Sequence, residues 1–128
     1  ALVAQELGLP FIYVRSSPKD HGLGNLIEGD LKAGQKVVVI EDLISTGSSS
    51  LKAVEALRQA GFEVVGMVAS YTYGFPVAEQ AFKDADLKLV TLGDYEHTIE
   101  IAAETGYVSK EDIEVLKEWR KDPANWKK

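Results

Sequence analysis

The sequence predicts an α/β fold in which a mainly parallel sheet is flanked by helices. Short β-branched and apolar segments alternate along the chain with segments of helical periodicity. The predicted helices lie between successive strands, which is the connection that parallel strands require. Glycine or proline ends most of the segments, as expected at element boundaries. Together these observations favour a layered α/β arrangement over an all-helical or all-strand fold.

Each element follows from its local sequence. Apolar and β-branched runs predict strands at residues 11–14, 36–40, 62–70 and 87–92, with at most a short strand at residues 25–28. Apolar spacing and end signals predict helices at residues 1–7, from about Ser48 to Gly61, and at residues 76–84. A further helix runs through residues 98–103 and stops at Gly106. The last helix begins with the capping-box pattern at residues 109–112 and ends at Pro123. The near-continuous apolar run at residues 36–40 is typical of a strand buried on both faces.

Composition narrows the class of protein. The chain has 128 residues and a formal charge of -6, so we expect a single domain over residues 1–128 and no nucleic-acid partner. It has no cysteine, which excludes disulfides and thiolate metal sites. The absence of a long apolar run or a signal-like segment predicts a soluble, cytoplasmic protein with no membrane partner. Because the chain starts at Ala1 within a helix-like segment, we expect it to be part of a longer chain.

The most informative segment connects a strand to a helix. Val37 to Ile40 are followed by the acids Glu41 and Asp42 and then by Ser-Thr-Gly-Ser at residues 45–48. Ligands of open α/β sheets bind at the carboxyl ends of strands, where these residues fall. Free N–H groups and the positive dipole at a helix start suit a phosphate, whereas the acids suit sugar hydroxyls or a metal. The segment therefore predicts a sugar-phosphate site.

We expect residues 42–47 to form the turn of this segment. The alternative interpretation is that Ser48 only caps the helix and that the acids are solvated at a strand end. Two adjacent acids followed by Ser-Thr-Gly-Ser make that alternative the weaker one. A nucleoside-triphosphate loop is excluded because the chain has no Gly-Lys pair.

Residues 38–49 (VVIEDLISTGSS) resemble the 5-phosphoribosyl 1-pyrophosphate (PRPP) motif of type I phosphoribosyltransferases, in the version typical of orotate phosphoribosyltransferases. Residues 15–22 (RSSPKDHG) resemble the catalytic loop of that family, and residues 25–29 the segment after it. Three further segments, at residues 71–74, 92–95 and 118–123, resemble the Bacillus-like branch. The resemblance covers essentially the whole chain and implies the type I phosphoribosyltransferase fold, with the N-terminal hood region absent.

The resemblance implies a reaction and a set of site residues. The reaction transfers the 5-phosphoribosyl group from PRPP to orotate, giving orotidine 5′-monophosphate and pyrophosphate in pyrimidine (UMP) biosynthesis. Mg²⁺ would bind pyrophosphate and ribose oxygens, with few direct protein ligands, and the resemblance implies no particular metal-ligating residue in this chain. The implied PRPP-binding residues are Arg15, Lys19, His21, Glu41, Asp42, Leu43, Ile44, Ser45, Thr46, Gly47, Ser48 and Ser49. Ser45 is also implied to contact orotate.

The implied catalytic residues are Arg15, Lys19, His21 and Asp42, and the first three would act across the interface of a homodimer. Chemistry supports the loop residues independently, because loss of pyrophosphate builds negative charge that fixed cations stabilise. His21 suits proton transfer or hydrogen bonding near neutral pH. The loop departs from the family pattern in having Ser16 and Ser17 where relatives have a lysine at one of the two positions.

Two other functions fit the same residues. A phosphoribosyltransferase for a purine or another base shares the acids and the Thr-Gly pair, and a non-catalytic PRPP-sensing regulator would share the fold. We also expect this chain by itself to be inactive or very weak, since part of the family's site would lie before Ala1. His97 is interpreted as a surface residue, Tyr71 and Tyr73 as packing residues, and Trp119 and Trp126 as core or interface aromatics.

Overall fold

The computed structural model describes residues 1–17 and 26–127. In chain order the elements are α1 (Leu2–Leu7), β1 (Ile12–Val14), β2 (Ile27–Gly29), β3 (Lys36–Ile44), α2 (Ser48–Gln59), β4 (Glu63–Thr72), α3 (Pro76–Asp84), β5 (Leu89–Asp94), α4 (Tyr95–Glu104) and α5 (Lys110–Lys121), followed by a 3₁₀ helix (Pro123–Asn125). The predicted order of strands and helices is therefore confirmed, with element ends shifted by a few residues.

The central sheet is parallel, with the order β3-β4-β5. Val39 pairs with Met67, and Met67 in turn pairs with Leu89, so these three residues form one row across the sheet. Helix α2 connects β3 to β4, and α3 connects β4 to β5, as parallel pairing requires. The carboxyl ends of all three strands meet at one edge, which is where an α/β sheet binds its ligands.

Strands β1 and β2 form a separate antiparallel pair, in which Tyr13 lies opposite Glu28. The sequence predicted both strands but not their separation from the main sheet. Ile27 of β2 joins Leu57 and Phe62 in a small apolar cluster, which attaches the pair to the end of α2. The pair therefore lies against the helix that follows the candidate phosphate turn.

The main core lies between the central sheet and helices α2 and α3. Its buried members are Ile44, Val54, Met67, Ala69, Phe75, Ala78, Phe82 and Leu87. Burial of these aliphatic and aromatic side chains is the main source of stability for the domain. The buried side chain of Ile44 is part of this core, so the core lies directly under the carboxyl end of β3.

The opposite face of the sheet is exposed, which contradicts the prediction that β3 is buried on both faces. Val38 and Ile40 are 53% and 52% exposed, and Leu92 on β5 is 82% exposed. Along β3, Val38 and Ile40 alternate with Val37 and Val39, which pack toward the core clusters. The apolar run thus reflects one packed face and one apolar face that no element covers among the described residues.

The last two helices pack beside the carboxyl edge of the sheet. Helix α5 begins with the predicted capping box, in which the Ser109 hydroxyl accepts a hydrogen bond from the Asp112 N–H and the Asp112 carboxylate accepts one from the Ser109 N–H. Trp119 of α5 packs between Phe75 and Tyr95, with ring centroids 5.6 and 5.4 Å away. These aromatic contacts dock α5 beside the carboxyl ends of β4 and β5.

Candidate active site

The strand that carries the two acids is longer than the sequence predicted. Leu43 and Ile44 pair with Tyr71 and Thr72 of β4, and the Ile44 carbonyl accepts a hydrogen bond from the Tyr73 N–H at 3.2 Å. Residues 42–44 are therefore strand, and the predicted turn at 42–47 is wrong at its first three positions. The turn is confined to residues 45–47, which places the hydroxyl-rich segment at the very edge of the sheet.

Gly47 connects this turn to α2. Its φ of +81° lies in the left-handed region that favours glycine. A Cβ at this position would lie 2.7 Å from Cε2 of Phe82, a buried residue of α3. Both the backbone angle and the packing therefore require glycine, and the turn is held closely against the core.

The first turn of α2 presents polar groups and no acidic side chain. Ser45, Thr46, Ser48 and Ser49 are all exposed, and the Ser48 N–H donates to Oγ1 of Thr46 at 3.4 Å. The first N–H groups of a helix have no partner within the helix, and its dipole favours a negative charge. This turn can therefore accept a phosphate group by main-chain N–H groups and hydroxyls.

The two acids lie just before this turn and contact each other. The Asp42 N–H donates to Oε1 of Glu41 at 3.1 Å, and the Leu43 N–H donates to Oδ1 of Asp42 at 2.7 Å. Interaction with the neighbouring Glu41 side chain, followed by the hydrogen bond from the Leu43 N–H, lowers the pKa of Asp42 below its ordinary value. Asp42 therefore remains a carboxylate at neutral pH and is available to accept hydrogen bonds from a ligand.

Two predicted site residues differ sharply in exposure. Leu43 is 44% exposed, whereas Ile44 is fully buried in the main core. Ile44 can therefore contribute to a ligand site only through its main chain and by fixing the end of β3. Its side chain packs with Val54 and Met67 instead of facing the turn.

The predicted catalytic loop is described only at its start. Arg15 follows β1, and its Nη1 lies 3.3 Å from Oε1 of Glu28 on β2. Lys19 and His21 lie outside the described residues. The structure therefore brings the acids and the turn together, and it pairs Arg15 with the neighbouring strand.

Ser50 is a candidate residue that the motif did not include. Its hydroxyl donates to Oε2 of Glu41 at 2.7 Å, and it is 3% exposed. The sequence does carry a signal for the burial of Ser50, because Ser50 has the helical spacing of Val54 and Leu57, the other two buried residues of α2. A serine in an otherwise apolar helical stripe indicates a specific hydrogen-bond partner.

A second polar pair lies at the carboxyl end of β5. The Asp94 carboxylate accepts a hydrogen bond from the His97 N–H and lies 2.8 Å from His97 Nδ1. The hydrogen bonds from His97 lower the pKa of Asp94, and the bond to Asp94 raises the pKa of His97. His97 is exposed on α4, as predicted, and the pair acts as a helix cap.

The described residues contain no group of three or more histidine, cysteine or acidic side chains that could hold a metal ion. A groove of about 430 Å³ lies between β2 and the end of α2, but none of the predicted site residues lines it. In the part of the chain that is described, no helix has both the length and the apolar character needed to cross a membrane.

Comparisons with known proteins agree with this geometry. The sequence pattern of the phosphoribosyl transferase domain matches residues 1–108. An orotate phosphoribosyltransferase of Bacteroides fragilis is 71% identical over 126 residues, which are 98% of this chain and 59% of that relative. The chain thus spans about three fifths of the length of this curated relative.

Solved structures show the same similarity. The crystal structure of orotate phosphoribosyltransferase from Aeropyrum pernix matches with a TM-score of 0.70 and 30% identity, over 84% of this chain and 58% of that one. The Mycobacterium tuberculosis H37Rv orotate phosphoribosyltransferase in complex with PRPP matches with a TM-score of 0.55 and 31% identity, over 67% of this chain and 48% of that one.

Proposed function

Since the chain belongs to the phosphoribosyltransferase family, we propose that it forms the PRPP-binding core of an orotate phosphoribosyltransferase. The reaction is transfer of the 5-phosphoribosyl group from PRPP to orotate, which yields orotidine 5′-monophosphate and pyrophosphate in UMP biosynthesis. The observation that carries the proposal is the joint placement of Glu41, Asp42 and the Gly47 turn at one sheet edge. The 71% identity to an orotate phosphoribosyltransferase supports orotate as the acceptor base.

In this proposal the turn binds the 5′-phosphate. Main-chain N–H groups at the start of α2 and the hydroxyls of Thr46, Ser48 and Ser49 donate to the phosphate oxygens. The first turn of α2 carries no acidic side chain of its own, and the positive end of the helix dipole favours a phosphate there. Ser45, at the exposed start of the turn, is assigned to the orotate side of the site.

The acids are assigned to the ribose. Carboxylates accept hydrogen bonds from the 2′- and 3′-hydroxyls, and Asp42 is suited to this because its lowered pKa keeps it ionised. A negative charge beside the anomeric carbon also stabilises the cationic sugar that forms as pyrophosphate leaves. Asp42 would therefore bind the ribose diol and favour the transition state over the ground state.

The loop residues Arg15, Lys19 and His21 are assigned to the pyrophosphate. Arg15 and Lys19 would stabilise the charge that develops on the leaving group, and His21 would donate a hydrogen bond or a proton to its oxygens. We propose, from the family resemblance, that these residues act on the partner's site in a homodimer. Arg15 contacts Glu28 through Nη1 in the single chain, and a guanidinium has five N–H donors, so the same side chain can also donate to pyrophosphate.

Mg²⁺ fits this site as a ligand-borne ion. The Asp42 carboxylate supplies the hard oxygen that Mg²⁺ prefers, and Mg²⁺ commonly binds through one or two carboxylates together with substrate phosphates. Bound to PRPP, the ion would neutralise charge on the pyrophosphate. The residues of this chain bind and orient the ribose and the 5′-phosphate.

Titration calorimetry with orotidine 5′-monophosphate tests the site on this chain. We expect binding that is lost for orotidine, which lacks the phosphate. Asp42→Asn should weaken binding about tenfold, since a charged acceptor is replaced by a neutral amide. Glu63→Asn is a control with a charge loss at the amino end of β4, at the opposite edge of the sheet, and should leave the affinity unchanged. Equal binding of orotidine and its monophosphate would refute the phosphate assignment.

Two other functions share part of this geometry. A purine phosphoribosyltransferase would bind adenosine or guanosine monophosphate in preference to orotidine monophosphate in a competition assay. A PRPP-sensing regulator would bind PRPP without turnover. Because this chain by itself is expected to be inactive or very weak, loss of orotate absorbance in the presence of PRPP is followed in a full-length version of the protein, with the Bacteroides fragilis relative as positive control. Lys19→Ala should abolish this turnover, with PRPP binding retained. Unchanged turnover in that variant would contradict the role of the loop.

A further inference from the structure

Ser50 differs from the other serines at the start of α2. Ser48 and Ser49 are exposed, whereas Ser50 is 3% exposed and lies on the same buried helix face as Val54 and Leu57. Among the described residues it is the one polar side chain in the buried class. Burial of a hydroxyl is costly unless it is hydrogen-bonded, so its partner identifies its role.

The partner of Ser50 is Glu41. The Ser50 hydroxyl donates to Oε2 at 2.7 Å, and the Asp42 N–H donates to Oε1 at 3.1 Å. Each carboxylate oxygen of Glu41 therefore has one protein donor, and the side chain is fixed at both oxygens. A carboxylate offers about four acceptor positions, so acceptor capacity is left for ligand hydroxyls.

We propose that Ser50 is a positioning residue, which orients Glu41 for recognition of the ribose diol. The proposal rests on the function proposed above, since it assigns a diol to the acids. A Glu41 side chain that is already fixed loses little rotamer freedom on binding, so more of each hydrogen bond to the ligand appears as affinity. The helix start and the acid-bearing strand are thereby connected, and phosphate and diol subsites keep a constant separation.

A purely structural role for Ser50 makes a different prediction. Loss of the hydroxyl would then disturb the start of α2 and weaken every ligand of the turn to the same extent. A positioning role weakens only ligands that carry a diol. The two roles are separated by a pair of nucleotides that differ only in the ribose hydroxyls.

The experiment measures the affinities of uridine 5′-monophosphate and of its 2′,3′-dideoxy analogue by titration calorimetry. Both ligands are measured with the unsubstituted chain and with Ser50→Ala. The unsubstituted chain should prefer the diol ligand about tenfold. Ser50→Ala should reduce that preference to about twofold and leave the affinity of the dideoxy ligand unchanged. Ser109→Ala removes a hydrogen-bonded serine at the start of α5 and should retain the full preference.

Each result has a distinct meaning. An unchanged diol preference in Ser50→Ala overturns the positioning role while the proposed function stands. Equal weakening of both ligands also overturns it, in favour of a structural role. No diol preference in the unsubstituted chain contradicts the assignment of the acids and therefore the proposed function itself.

Ser50→Cys makes the same comparison if Ser50→Ala does not fold. Cysteine has nearly the volume of serine but is a weak hydrogen-bond donor, so it should also reduce the diol preference. The chain has no other cysteine, so no intramolecular disulfide can form. Full preference in a folded Ser50→Cys variant would overturn the proposal.

Discussion

Gly47 lies directly against the ring of Phe82, so that a Cβ on Gly47 would approach Cε2 of Phe82 to 2.7 Å. Phe82 is buried in the main core with Val54 and Met67. The glycine of the phosphate turn is thus a point of contact between the ligand edge and the core. Its position couples the geometry of the turn to the packing of α3.

Gly47→Ala should therefore destabilise the chain for two separate reasons. The left-handed φ of +81° costs an alanine about 1–2 kcal/mol, and overpacking against Phe82 adds about 1–3 kcal/mol. We expect a total loss of about 3 kcal/mol in the free energy of unfolding, measured by urea denaturation. Nucleotide affinity should fall as well, because the turn must move away from Phe82.

Gly106→Ala is the matched control for backbone strain. Gly106 has a φ of +83°, and a Cβ there would meet nothing within 4 Å. Its substitution should cost only about 1 kcal/mol and leave nucleotide binding intact. Equal losses for the two variants would show that contact with Phe82 is unimportant.

Local signals predicted most of the fold. The Ser109 capping box, the proline at the start of α3 and the glycine after α1 each mark an element end in the sequence, and the structure has the ends there. These features depend on residues close in sequence, so they are readable without the tertiary structure. The parallel sheet followed from the alternation of strands and helices.

Features that depend on distant partners were not predicted. The extension of β3 to Ile44 depends on pairing with β4, and the antiparallel pairing of β1 with β2 joins residues on either side of residues 18–25. The exposure of Val38 and Ile40 could not be read from an apolar run, because such a run does not show which face is covered. Tertiary context decides each of these points.

The candidate site was predicted as a segment and not as a set of contacts. The motif indicated residues 41–49 as a unit, but it did not distinguish buried Ile44 from exposed Leu43. It also stopped before Ser50, whose bond to Glu41 crosses nine residues of chain. Helical spacing of Ser50 with Val54 would have indicated its burial from the sequence alone.

Ser109→Ala tests the capping box of α5. The variant removes the hydroxyl that accepts the Asp112 N–H at 3.2 Å, and it leaves this N–H without its partner. Loss of such a cap costs about 1 kcal/mol, which should appear in the free energy of unfolding from urea denaturation. Ser109→Thr keeps a capping hydroxyl and should recover most of the loss. A variant as stable as the parent would show that the box contributes nothing measurable.

The Asp94–His97 pair should make the stability of the chain depend on pH. The pKa of His97 is raised above 6.5 by Asp94. The contribution of His97 to the free energy of unfolding is therefore complete below pH 6.5 and is lost as pH rises through the raised pKa. The pKa of Asp94 is lowered below 3.8 by His97, so its contribution is lost only as pH falls through that lowered value. The stabilising contribution is therefore largest between about pH 4 and pH 6.5.

Asp94→Asn isolates the charge in this pair, because asparagine still caps a helix. The pKa of His97, followed by NMR titration of its ring protons, should fall toward 6.5 in the variant. His97→Gln identifies the resonance by removing it. A titration midpoint that Asp94→Asn does not change would contradict the contact between the two side chains.

Trp119 should contribute far more to stability than Trp126. Its ring lies 5.4–6.0 Å from the rings of Tyr73, Phe75 and Tyr95, and it packs against the main core. Trp119→Ala should lower the free energy of unfolding by about 3 kcal/mol, since burial of a large aromatic and its ring contacts are lost. Trp126, which follows the 3₁₀ helix and has Lys127 over its ring, is the matched control, and its substitution by alanine should cost about 1 kcal/mol.

Because α5 docks beside the carboxyl ends of β4 and β5 through Trp119, Trp119→Ala should also detach α5. Hydrogen exchange would report this as faster exchange in residues 110–121. Equal costs at the two tryptophans, or unchanged exchange in α5, would show that the aromatic cluster does not secure this helix.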